Sequence, residues 1–84
     1  MVARSTVTFA ELRRFLVDLG FTQSKRGKFW WFKHDPSDTV FGFRPYRSNE
    51  RVTLIDLHHV RKHLDWRGVL DEQAFDDLLK KATA

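Results

Sequence analysis

The run Arg26-Gly27-Lys28-Phe29-Trp30-Trp31-Phe32-Lys33 constrains the fold more than any other stretch. Four aromatics stand in succession between basic residues. Side chains alternate between faces along a strand. Read as a strand, the run sends two rings to each side. A domain this small has one core, so one pair of rings faces water. Lysine is rarely fully buried, which makes Phe29, Trp31 and Lys33 the wet parity and Trp30 and Phe32 the core parity. On the strand that follows, Phe41 and Phe43 share the core face, and Val40, Gly42 and Arg44 share the open one.

The surrounding sequence supplies the other elements. Thr8-Phe9-Ala10-Glu11 fits a capping box. Leu12, Phe15, Leu16 and Leu19 then recur at helical spacing, and Gly20-Phe21 suits a Schellman ending. A helix is expected over about 9–19. Residues 21–24 form a short strand candidate, and Lys25-Arg26-Gly27-Lys28 reads as a turn. Strands follow at 29–34 and 39–44, separated by the turn Asp35-Pro36-Ser37-Asp38. Residues 45–52 read as a polar connection. A second helix starts at the cap Thr53, with a stripe of Leu54, Leu57, Val60, Arg61 and Leu64. Asp71 caps a short last helix, with Leu70 and Phe75 as a staple and Ala74, Phe75, Leu78 and Leu79 as its apolar side. The expected class is α+β: helix, three-stranded antiparallel meander, helix, short C-terminal helix, with the helices on one sheet face.

Length and composition narrow the function. The 84 residues make a single domain, 1–84, too small for a deep cofactor cleft. No cysteine is present, which excludes disulfides and thiolate metal sites. No apolar run approaches the roughly 18–20 residues of a membrane span. The start of the chain lacks an apolar signal core. A cytoplasmic protein without a membrane partner is expected. The net charge of +4 is uneven. Cations crowd residues 25–51, and acids crowd residues 71–77. A basic surface of this kind suits a polyanion.

Rings interleaved with cations suit nucleic acid in particular. A stacked base is worth roughly 1–3 kcal/mol, and cations add phosphate attraction. Lys25, Arg26, Lys28, Phe29, Trp31, Lys33, Arg44 and Arg47 are the candidate nucleic-acid-binding residues. The basic clusters at 25–28 and 44–47 fall at one end of the meander if the hairpins register as assumed. His59 and His63, at i and i+4 with Asp56 nearby, could in principle grip a metal. No further ligand completes such a site, so no metal is expected.

The order of these elements resembles a known pattern. "ELRRFLVDLGF", a basic turn with glycine, an aromatic strand, "HDP", another strand, a basic-aromatic connection, a helix and the tail "GVLDEQAFDDLL", an apolar residue, acidic cap and short helix, are similar to the HicA-like toxin family over about residues 9–79. The resemblance implies a fold like the double-stranded RNA-binding domain. It implies an RNA endonuclease of a type II toxin–antitoxin system, with RNA as target and a HicB-like antitoxin as protein partner. The family signature is glycine, glycine or serine, then a catalytic histidine opening the second strand. Gly27 matches the first position, Lys28 holds the second, and Phe29 stands at the histidine. A phenyl ring cannot exchange a proton, as general acid–base catalysis requires. Pro45 matches a proline after the third strand, but Tyr46 and Arg47 follow it where the family tends to place histidine. His34 is the remaining weak catalytic candidate. The expectation is a HicA-like RNA-binding domain, a degenerate mRNA interferase without its histidine. The alternative is a protein-interaction module in which Phe29 and Trp31 dock a partner.

Overall fold

The computed structural model describes residues 4–82. Strand β1, Arg4–Thr8, leads directly into helix α1, Phe9–Asp18. The capping box forms at their junction. The Glu11 N–H donates to Thr8 Oγ1 at 3.2 Å, and the Thr8 N–H donates to Glu11 Oε1 at 2.9 Å. Phe9, Leu12, Phe15 and Leu16 form the buried face of α1. The helix then stops in a Schellman motif. The Phe21 N–H reaches the Leu16 carbonyl at 3.0 Å and the Gly20 N–H reaches the Val17 carbonyl at 3.0 Å. That geometry places Gly20 at φ +103°, a region open to glycine.

The meander comprises β2 (Thr22–Arg26), β3 (Phe29–His34) and β4 (Thr39–Phe43), in sheet order β2-β3-β4. Arg26 pairs with Phe29, so the first hairpin turns on Gly27 and Lys28 alone. Gly27 takes φ +61° at the first turn position, where a type II′ hairpin needs glycine. The sequence alone predicts Lys25 and Arg26 in this turn. Both belong to β2, because the two-residue turn lets pairing run to the tip. The second hairpin passes through a 3₁₀ turn at Asp35–Ser37.

Strand β5, Arg51–Thr53, enters helix α2, Leu54–Trp66, whose cap is Thr53: its Oγ1 accepts from the Asp56 N–H at 3.2 Å. Helix α3, Glu72–Ala82, is capped by Asp71, whose Oδ1 accepts from the Ala74 N–H at 2.7 Å. With 11 residues, α3 is longer than the short helix expected. Arg61 lays its guanidinium on both oxygens of Asp76 at 3.0 Å, and Lys62 meets Glu72 at 2.9 Å, tying α2 to α3.

The α+β class and the three-stranded antiparallel sheet agree with expectation. The chain also builds a second sheet that the sequence reading lacked, the antiparallel pair β1-β5. Alternation in β1 is masked because its inward positions are Ser5 and Val7, and only one is apolar. Ser5 is tolerated inside because its Oγ donates to the Val52 carbonyl at 2.8 Å and accepts from the Val7 N–H at 3.1 Å. The polar connection 45–52 is a correction of the same kind. Tyr46 is 5% exposed and Val52 is fully buried. Tyr46 stacks on Phe9, donates its hydroxyl to Asp56, and accepts from the Thr53 N–H at 3.2 Å.

Phe9 is the hub of the core, in ring contact with Trp30, Phe32, Phe43 and Tyr46. The core lies between the inner face of β2-β3-β4 and the helices, and Phe15 of α1 meets Phe75 of α3 edge-on. On α2, Val60 and Leu64 are buried and Leu57 is partly buried, but Leu54, expected in the stripe, is exposed. Among the described residues, no helix is long and apolar enough to cross a membrane.

Candidate nucleic-acid interface

Strand register arranges the outer face of the meander as a grid. Arg26, Phe29 and Arg44 stand at the hairpin end, with Arg44 one residue past the Trp30–Phe43 pair. Ser24, Trp31 and Gly42 form the middle row. Thr22, Lys33 and Val40 form the far row. The aromatic parity follows the expectation. Phe32, Phe41 and Phe43 are buried, while Phe29 is 54% exposed and Trp31 is 38% exposed. The two basic clusters thus come to one end of the sheet through Arg26, Lys28 and Arg44. Strands β2, β3 and β4 and the Gly27-Lys28 turn contain no carboxylate. Asp35, just past β3, pairs with Lys33 at 3.5 Å with both side chains more than half exposed, a contact of little energetic weight.

Gly42 sets the shape of this face. A Cβ built there would lie 2.8 Å from Cζ3, 3.1 Å from Cη2 and 3.2 Å from Cε3 of Trp31. The benzene ring of Trp31 therefore rests directly on the β4 backbone. Glycine in a strand interior often marks such a close approach. The ring is held across the sheet rather than standing up from it. Phe29, Trp31, Gly42, Phe43 and Arg44 line one shallow hollow of about 350 Å³.

Several expected site residues lie elsewhere. Lys25 pairs with Trp30, on the helix side of the sheet, and its Nζ sits 5.0 Å from the Trp30 ring centroid. Arg13 of α1 lies 5.5 Å from the same ring. Trp30 is consequently a margin of the core, half-buried and flanked by two cations. Arg47 follows Tyr46 into the loop, where its N–H donates to Glu50 Oε1 at 3.1 Å. That bond holds the Glu50 carboxyl below its ordinary value, and Arg4 adds to the effect. His34 shares the inner parity of Phe32. Its ring lies 5.1 Å from Phe21, and its Nδ1 is 2.7 Å from Ser37 Oγ. It is thereby separated by the thickness of the sheet from Phe29 and Trp31. His59 and His63 sit edge-on at 6.3 Å, and His63 also contacts Phe41 and Trp66. Among the described residues no cluster of three or more metal-ligating side chains occurs.

A second surface was missed in the sequence. Leu54 and Ile55, the latter 62% exposed, open a larger groove of about 520 Å³ with His58, His59, Asp76 and Leu79. Placing Leu54 in the buried stripe concealed it. The signal was Ile55 itself, an apolar residue off the stripe. This groove carries the exposed imidazoles of His58 and His59 and the guanidinium of Arg61, but Arg61 is held by Asp76 and Glu72, so its positive charge is already matched by carboxylates. The smaller sheet hollow has the rings of Phe29 and Trp31 and the Arg44 guanidinium, which meets no carboxylate among the described residues and lies 5.7 Å from the Tyr46 ring centroid.

The architecture is thus a small α+β domain in which helices cover one face of a three-stranded antiparallel sheet and leave the other open. No family model, curated protein or solved structure matches the chain.

Proposed function

We propose that the chain is a HicA-like, RNA-binding domain with a double-stranded-RNA-binding-like arrangement, and that it holds RNA on the outer face of β2-β3-β4. One observation carries this reading: Phe29 and Trp31 are exposed side by side on a sheet without carboxylates, bordered by Arg26, Lys28, Lys33 and Arg44. Rings supply stacking and the cations supply phosphate attraction. The helix–meander–helix order supports the family resemblance. In this reading Phe29 occupies the position of the family's histidine and contributes a surface for binding where the family has a proton-transfer group. The domain then retains the RNA and leaves cleavage to other members. A HicB-like antitoxin would cover the same face.

The test is an RNA titration at two salt concentrations. If Arg26, Lys28, Lys33 and Arg44 each neutralise one phosphate, affinity for a single strand falls about 50-fold between roughly 50 and 200 mM salt. Absence of RNA binding at the lower concentration would contradict the proposal. Incubation with RNA tests the catalytic part: cleavage that disappears in His34→Ala would show that the protein is a nuclease after all.

A further inference from the structure

The outer face has a finer geometry than a generic basic patch. Phe29 and Trp31 are two residues apart on one strand, so their side chains leave the sheet about 7 Å from each other. Successive bases along one strand of a duplex are about 3.4 Å apart. The ring spacing is therefore about twice the rise of a stacked strand. The Trp31 ring is also laid on Gly42 and turned along the sheet, offering a π-face rather than an edge. In a duplex the faces of internal bases are covered by their neighbours, and only their edges are accessible. A laid-down ring can be used only by a base whose own face is free.

From this geometry we infer that the site takes an unpaired, extended dinucleotide step, one base on Phe29 and the next on Trp31, with the connecting strand running along β3. This rests on the nucleic-acid reading above and specifies its ligand. Arg26 on β2 and Arg44 beyond β4 flank Phe29, and Lys33 stands past Trp31 on the same strand parity. A cation thus waits at each end of the two-ring ladder, where the phosphates entering and leaving the step would pass. Gly42 and Ser24, on either side of Trp31, are the two smallest residues of the grid: the indole itself covers Gly42, and no bulky neighbour rises above its outer face. Val40 bounds the far row with an apolar side chain, 51% exposed, beside Lys33. Stacking accepts any base, so the site would favour strand state over sequence.

The experiment compares three labelled probes by fluorescence anisotropy at about 50 mM salt: an oligouridylate of about eight nucleotides, the matching oligothymidylate, and an RNA duplex of mixed sequence. The single-stranded RNA is expected to bind at least about 10-fold more tightly than the duplex. Phe29→Leu and Trp31→Leu are each expected to lower that affinity by about 5- to 150-fold, the range of one lost base stack. Phe29 is 54% exposed, so Phe29→Leu should keep the wild-type unfolding midpoint, which separates lost affinity from lost folding. Preference for the duplex, or single-strand affinity unchanged in both variants, would overturn the two-base site while leaving RNA binding by this face in place. Tighter binding of the oligothymidylate than of the oligouridylate would overturn the assignment of RNA. Failure of all three probes would remove the nucleic-acid reading itself and leave the two rings as a protein-docking surface.

Discussion

A methyl group added at Gly42 would meet Trp31 Cζ3 at 2.8 Å, so the indole must leave the β4 backbone in Gly42→Ala. The ring is partly exposed and can swing toward solvent, and alanine in a strand interior is itself favoured over glycine by about 0.5–1 kcal/mol, so the two effects offset and the net change in stability is small. The expected result is a red-shifted Trp31 emission and weakened RNA binding with nearly unchanged thermal unfolding. A loss of more than about 3 kcal/mol would mean that Trp31 is part of the core. His34 predicts the reverse pattern. Its contacts with Phe21 and Ser37 lie on the other side of the sheet, so His34→Ala should cost about 1–2 kcal/mol in chemical denaturation and leave RNA affinity unchanged. Strand parity made Phe29, Trp31 and Phe32 legible from sequence, with Lys33 as the deciding residue. It could not reveal that Trp31 leans onto Gly42, because a cross-strand contact depends on register. Nor could it place Lys25, which reads as a turn residue but pairs with Trp30 because the turn is two residues long.

At the scale of elements, the strongest local signals became structure. Thr8-x-x-Glu11 forms its capping box and Gly20-Phe21 its Schellman ending. Thr8→Ala should cost about 1 kcal/mol, read from a shift in the denaturation midpoint. Strands β1 and β5 were illegible for a physical reason. Each is short, and their burial depends on a distant partner: Ser5 is satisfied by Val52, some 47 residues along the chain. No local periodicity encodes that pairing. The contact between α2 and α3 adds a pH dependence. The hydrogen-bonded Lys62 ammonium, with Arg61 beside it, holds the Glu72 carboxyl below its ordinary value of 4.5. A lowered folded-state value contributes stability that is complete above the unfolded value and is lost as pH falls through the folded one. The difference in Tm between the wild type and Glu72→Gln should therefore be present near neutral pH and shrink at pH below about 4.5. A difference that grows on acidification would contradict the ion pairing.

For the molecule as a whole, the two faces of one sheet do different work. Phe32, fully buried against Phe9 and Phe43, belongs to the folding core. Phe32→Ala should cost about 3–5 kcal/mol, whereas Phe29→Ala, three residues away, should cost less than about 1 kcal/mol. Urea denaturation of the two variants checks this division. The fold class and the open face were readable because the aromatic run forces alternation. The groove beside Leu54 and Ile55 was not, because it exists only where α2 and α3 converge.

The proposal that RNA binds the outer sheet face is tested most directly by an amide and indole NMR titration of the labelled protein with a single-stranded RNA. Shifts are expected at Arg26, Phe29, the Trp31 indole, Lys33, Gly42 and Arg44, with His58, His59 and Asp76 unmoved. Shifts confined to the groove between α2 and α3, or to the Lys25–Trp30 side of the sheet, would contradict it.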